Sequence, residues 1–168
     1  GDAKKLWEKS INIKADDNDS KAINNIANLY KEEKNYDKAI EGYQLAVKND
    51  PMNSMYLNNL ADTLRLNGEL NQAVEVIQSS LKLNSAGMGT YFNLGMVYKD
   101  LKENKKALDS FKKSLQVNAA LTEAYYQIAQ IHLAMKNRDL ALTFINKAIE
   151  FSPNNLIYQE SLEKILAL

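Results

Sequence analysis

Apolar positions return along this chain on a fixed schedule. Ala39, Ala73, Ala107 and Ala141 stand 34 residues apart, and Ile26, Leu60, Leu94 and Ile128 form a second column at the same spacing. Within residues 20–53, Ile23, Ile26, Ala27 and Tyr30 fall on one helical face by their three-and-four spacing. The pattern breaks at Lys34-Asn35, resumes with Ala39, Ile40, Tyr43, Ala46 and Val47, and stops at Pro51. Each period therefore predicts a helix, a turn and a second helix. A repeat of this length means stacked units, each burying its apolar face against its neighbours.

Residues 20–53, 54–87, 88–121 and 122–155 make four such repeats in a single array over 1–168. The second turns at Asn67-Gly68, and Pro153 closes the fourth. Ser20, Ser54 and Thr122 are expected as N-caps, their hydroxyls accepting orphan backbone N–H groups. Small residues recur at Ala27, Ala61, Gly95 and Ala129, and again at Ala46, Ser80, Ser114 and Ala148. They let helices approach while Tyr30, Tyr43, Tyr91, Tyr98 and Phe111 fill the adjoining holes. Ala3, Trp7, Ser10 and Ala15 reproduce the second-helix spacing, followed by a two-residue slip, so 1–19 reads as an N-terminal helix or half repeat. Residues 156–168 read as a C-terminal capping helix with Leu162, Ile165 and Leu166 inward and Gln159, Glu160 and Glu163 outward. With both ends looking cut, the chain is expected to be a piece of a longer protein.

Composition narrows the function. Lys plus Arg (21) balance Asp plus Glu (21), with no basic stripe of the kind that phosphate neutralisation requires, so no nucleic-acid partner is expected. The chain has no Cys, which removes disulfides, thiolate chemistry and Cys-ligated metals. No apolar run nears the ~18 residues of a membrane span, so no membrane insertion is expected. The chain opens Gly1-Asp2 without Met, which is compatible with processing after a signal peptide. The compartment stays open, with the cytoplasm preferred.

Candidate chemistry is sparse. His132 is the only histidine and shares a column with Tyr30, Leu64 and Tyr98, where a packed ring is expected. No Gly-rich loop precedes a helix with the Lys-Ser/Thr that would hold phosphate. Asp16, Asp17 and Asp19 lack the Gly turn and terminal Glu of an EF-hand. The expectation is a chain that is not an enzyme, with no catalytic residue, no cofactor and no metal.

Four repeats in phase resemble the tetratricopeptide repeat (TPR) family. The departures are Ser85 and Ala119 where the family prefers proline, and Ile23, Leu57, Tyr91 and Tyr125 where it prefers tryptophan. The resemblance implies an all-α, right-handed superhelical solenoid of helix–turn–helix repeats. Its first helices would line a concave groove that takes an extended peptide or a partner helix. One column facing that groove reads Asn25, Asn59, Asn93 and Gln127, with Asn24, Asn28 and Asn58 beside it. Carboxamides donate and accept without charge, so they can match a peptide backbone of any sequence. The arrangement is similar to the asparagine ladder of the TPR region of O-linked N-acetylglucosamine transferases. Further along, Phe92, Met96 and Tyr126 replace the asparagines as apolar anchors. TPR clamps for chaperone C-terminal carboxylates place cations where this chain has Asn24, Gly89 and Asn93, so that partner is not expected. Two alternatives stand beside the peptide-binding scaffold: a homo-oligomer assembled through the terminal helices, and the substrate-recruiting segment of a larger enzyme.

Overall fold

Nine helices stand among the described residues of the computed structural model, which are 17–82 and 89–167, with side chains from Ser20 onward. Ala3, Trp7, Ser10, Ala15 and Asp16 lie outside them, as do Ser85, Gly87, Met88 and Leu168. The helices are α1 (Asp17–Glu32), α2 (Tyr36–Asn49), α3 (Ser54–Leu66), α4 (Leu70–Lys82), α5 (Thr90–Asp100), α6 (Asn104–Val117), α7 (Thr122–Ala134), α8 (Arg138–Phe151) and α9 (Leu156–Leu166). No strand occurs among the described residues. The chain divides into two compact units, the first ending at Asn93 and the second beginning at Leu94, inside α5.

One device ends each first helix and starts its partner. Lys34, Gly68, Lys102 and Lys136 all have positive φ, at 59°, 85°, 63° and 60°. The N–H of each bonds the carbonyl three residues back, and the next N–H reaches five back: Lys34 to Lys31 and Asn35 to Tyr30, Gly68 to Arg65 and Glu69 to Leu64, and likewise Lys102, Glu103, Lys136 and Asn137. That double bond is a Schellman turn, which satisfies carbonyls the helix leaves orphaned. A lysine in this left-handed region costs roughly 1–2 kcal/mol that Gly68 avoids. The turn is thus held at three of four positions by its hydrogen bonds against the preference of the residue.

The caps differ from expectation. Asn53 caps α3, accepting from Met55 N–H, and Asn155 caps α9, accepting from Ile157 and Tyr158 N–H. Ser54 is the first residue inside α3, Thr122 the first inside α7, and Ser20 lies within α1. A hydroxyl already inside the first turn cannot reach forward to the free N–H groups; before Ser54 the capping is done by Asn53, and before Thr122 stands Leu121, which makes no side-chain cap bond. Leu166 is also corrected: it is 55% exposed, while Ile165 is fully buried. Leu166 occupies the column of His132, whose ring is covered by Phe144 of the following helix. No described helix follows α9 to do the same.

The small columns form the interior. Ala27, Ala61, Ala129, Ala39, Ala73, Ala107 and Ala141 are all fully buried. In the second unit Ala129, Ala141, Ile145 and Ala148 form one cluster with Tyr158 and Ile165 of α9. Gly95 shows how tight the approach is: a Cβ there would lie 2.6 Å from two ring carbons of Phe111. Phe111 is fully buried and has nowhere to move. By the same spacing Ala61 pairs with Ile77, Ala129 with Ile145, and Ala27 with the fully buried Tyr43. Glycine at 95 is thus set by the position of the Phe111 ring against this helix.

His132 is 8% exposed, with its ring stacked 5.7 Å from Phe144. Burial, reinforced by the Lys112 charge, holds its imidazole below the ordinary value of 6.5. The unfolded chain therefore takes up a proton at a pH where the folded chain still resists it. Stability from this site is present above about 6.5 and is lost as pH falls through the folded value.

Two outcomes follow from this packing. Gly95→Ala gains about 1 kcal/mol of helix propensity but should lose more through overpacking, about 1–3 kcal/mol. Combining it with Phe111→Ile should recover most of the loss, so a denaturant double-mutant cycle should show favourable coupling; additive effects would contradict the contact. His132→Leu, the residue of the same column at Leu64, should flatten the stability loss between about pH 7.5 and about pH 5. Urea unfolding of both proteins across that range measures it.

Candidate functional site

The first-helix surface of the first unit is built from α1, α3 and the start of α5. Its carboxamides are tied to one another before they meet solvent. Asn59 Nδ2 donates to Asn24 Oδ1 at 2.9 Å, and Asn93 Nδ2 donates to the backbone oxygen of Asn58 at 3.3 Å. Each bond runs from one first helix to the one before it, so the column stitches neighbouring repeats. Asn24 is only 2% exposed, and a ligand would meet Asn59 ahead of it. Asn25, the first member of the column, is exposed. Asn58 keeps a buried Oδ1 with no partner among the described residues. Phe92 and Asn93 are half-buried.

Behind these residues lies a polar layer. The Tyr43 hydroxyl donates to Asn28 Oδ1 at 2.6 Å, and Thr63 Oγ1 donates to the Asn59 carbonyl at 2.7 Å. Burial pushes the Tyr43 phenol up to about 12, helped by the charges of Asp62 and Glu32 and opposed by Thr63, so it stays a neutral donor. Asp62 joins Lys31 on one side and Arg65 Nη2, at 3.0 Å, on the other. Burial alone would raise the Asp62 carboxyl; the two cations outweigh it and hold the group below its ordinary value.

In the second unit the surface is carried by the rest of α5, α7 and α9. Met96 and Tyr126 are half-buried, and Gln127 is 6% exposed. Gln127 accepts from Lys99 Nζ and donates to Glu123 Oε1 at 2.7 Å, so both ends of its amide are engaged. Tyr126 stacks on Tyr158 at 5.1 Å. The Tyr158 hydroxyl in turn donates to Glu123 Oε2 at 3.0 Å. Burial and the Glu123 charge raise the Tyr126 phenol above its ordinary value, leaving it neutral near neutral pH.

Between α7 and α9 opens a cavity of about 120 Å³, walled by Tyr126, Gln130, Leu133, Ile157, Glu160, Ser161 and Lys164. Gln130 Nε2 donates to Ser161 Oγ at 2.8 Å across its floor. Ile157 is 61% exposed at the rim. The cavity thus joins apolar walls to a carboxylate and an ammonium, room for one apolar side chain with polar groups beside it.

Tyr126 is the sequence-expected residue on this cavity. Its other wall comes from α9, which the sequence presents as a solvating cap. The signal was in the columns: Ser161 continues the line of Asn25, Asn59, Asn93 and Gln127, and Glu160 that of Asn24, Asn58, Phe92 and Tyr126. Among the described residues no group of three or more His, Cys, Asp or Glu could hold a metal ion. No helix of the described residues is long and apolar enough to cross a membrane.

Comparisons with known proteins agree with this architecture. The model of the TT21 fifth ARM repeats domain matches residues 20–133, more than half the chain, and the tetratricopeptide repeat model matches residues 122–155. Among curated protein sequences none matches significantly. Of solved structures, TTC0263, a thermophilic TPR protein of Thermus thermophilus, is 24% identical at a TM-score of 0.78, over 89% of this chain and 82% of that one. PilF of Pseudomonas aeruginosa is 18% identical at 0.79, over 88% of this chain and 68% of that one. YrrB, a TPR protein with an unusual peptide-binding site, is 19% identical at 0.65, over 87% and 75%. At these identities the likeness is one of fold. Helix pairs, Schellman turns and small columns at one period, matched by both repeat models, make this chain a tetratricopeptide repeat protein within the ARM/TPR-like repeat family.

Proposed function

We propose that this chain is a non-catalytic protein–protein interaction scaffold that takes an extended peptide or partner helix along its first-helix surfaces. The observation that supports it is the cavity between α7 and α9, where Tyr126, Leu133 and Ile157 offer an apolar seat flanked by Gln130, Glu160 and Lys164. An aromatic anchor beside polar groups is the usual composition of an interface hot spot. Met96 and Gln127 extend this surface in the second unit. In the first unit Asn25 and the remaining N–H groups of Asn59 and Asn93 would meet the ligand backbone, with Phe92 as an apolar contact and Asn24, Asn28 and Asn58 holding those groups in place. YrrB, whose fold this chain shares, has a peptide-binding site, and that precedent fits the proposal.

A second copy of the chain is the less favoured partner. In α9, Gln159 and Glu163 stand exposed at the columns that the repeats fill with Leu57 and Ala61 or with Tyr125 and Ala129. Burying Glu163 in an end-to-end contact would carry the desolvation cost of an unpaired carboxylate.

Peptides selected by the full chain from a displayed library supply the test. Tyr126→Ala combined with Ile157→Asp should weaken their binding by about 2 kcal/mol, roughly 30-fold, with the helical circular dichroism signal retained. Unchanged affinity in a folded double variant would sink the assignment of this surface.

A further inference from the structure

Of the four turns that join a first helix to its partner, the second alone places a carboxamide immediately before the left-handed residue. Asn67 precedes Gly68 there, whereas Glu33, Leu101 and Met135 precede the three lysines. It is the only Asn-Gly pair in the chain. Glycine relieves the left-handed strain that the lysines bear, but it also leaves its own nitrogen uncrowded by any Cβ. The Gly68 nitrogen is therefore better placed to attack the preceding carboxamide than the nitrogen that follows any other asparagine here. Asn67 and Gly68 are both exposed, and a Cβ built at Gly68 would meet nothing within 4 Å, so water reaches the pair.

The closed turn blocks that attack. At a ψ of −3° the Gly68 nitrogen eclipses the Asn67 nitrogen rather than its Cβ, so a succinimide ring cannot close without rotation about that bond. Rotation would break the bonds from Gly68 N–H to the Arg65 carbonyl, at 3.0 Å, and from Glu69 N–H to the Leu64 carbonyl, at 2.8 Å. The side chain is held as well. Asn67 Nδ2 donates to Glu69 Oε1 at 2.8 Å and to Asp37 Oδ1 of α2 at 3.2 Å. Glu69 is fixed in turn by Gln72 Nε2 at 2.6 Å. One amide thus bridges the start of α2 to the turn between α3 and α4.

We propose that Asn67 is a modification site gated by its own turn: it stays an amide while the turn is closed and becomes aspartate or isoaspartate when the turn opens. In the open turn the Gly68 nitrogen gives its proton to solvent and bonds to Asn67 Cγ; the Cγ–Nδ2 bond breaks and ammonia leaves. Water then adds to one of the two ring carbonyls. Breaking the ring bond to Cγ gives aspartate, and breaking the one to the backbone carbonyl carbon gives isoaspartate. Either product removes both N–H donors and sets a third carboxylate against Asp37 and Glu69. Isoaspartate also adds the side-chain methylene to the backbone, which puts the Glu69 N–H out of register with the Leu64 carbonyl. The modified turn is thereby weakened at the place where the amide held it.

The full chain, incubated at mildly alkaline pH and then digested for mass spectrometry, tests this. Conversion should appear at Asn67 before any other asparagine. It should run at least about tenfold faster in the urea-unfolded chain than in the folded one, because the folded rate is scaled by the fraction of time the turn is open. Asp37→Ala, which frees one side of the amide, should raise the folded rate several-fold and leave the unfolded rate unchanged. Equal rates folded and unfolded, earlier conversion at another asparagine, or a folded rate indifferent to Asp37→Ala would overturn the proposal. The effect of the product is read in Asn67→Asp beside Asn67→Ala, which loses the donors without adding charge. The aspartate variant should have the lower urea midpoint, and the gap between the two should shrink in high salt, which screens like charges. An aspartate variant as stable as the alanine one would refute the weakening by like charge.

Discussion

Two helices can run within packing distance only where one of the facing side chains is small, and this chain meets that condition at every period. Ala39, Ala73, Ala107 and Ala141 are all without exposed surface, as are Ala27, Ala61 and Ala129. Gly95 marks the limit: with Phe111 opposite, even a methyl group would stand 2.6 Å from the ring. Interiors packed at crystal-like density tolerate neither gaps nor excess volume, so the size at one column fixes the size allowed at the next. The Schellman turns join the helices so packed. Lysine at positive φ is unfavourable at three of the four, and the paired hydrogen bonds of the turn hold it there.

Close approach of the second helices leaves the first helices to meet one another through their polar columns. Asn59 and Asn93 each donate to the preceding first helix, Lys31 reaches Asp62, and Lys99 reaches Gln127. These bonds fix the surface on which a ligand would lie. They also separate the asparagines, since a buried amide such as Asn24 orients Asn59 while Asn25 stands exposed. In the second unit the first helices α7 and α9 carry aromatic and aliphatic groups, and there the cavity beside Tyr126 opens.

The helices were legible because packing repeats. A residue that must be small in one unit must be small in the next, and four copies of the pattern at Ala39 or Ala27 leave little else to choose. Caps were less legible, because a cap depends on a single residue's place relative to the first turn. Ser54 and Asn53 are both good capping residues, and only the backbone tells which one stands outside the helix. Leu166 looked inward because α9 keeps the helical period, yet the helix that would cover its column is not there among the described residues. The Asn columns showed that a surface existed but not that its amides bond to each other. Two carboxamides 35 positions apart, Asn24 and Asn59, give no sign in sequence of which will donate.

The central claim is that the small columns set the helix spacing on which all of this rests. Its most direct measurement is the unfolding free energy of four single variants, Ala39→Leu, Ala73→Leu, Ala107→Leu and Ala141→Leu, by denaturant titration. The account predicts that each loses stability by a similar amount, about 1–3 kcal/mol or more, because each forces the same contact apart. A variant as stable as the unsubstituted chain at any of the four positions would contradict it.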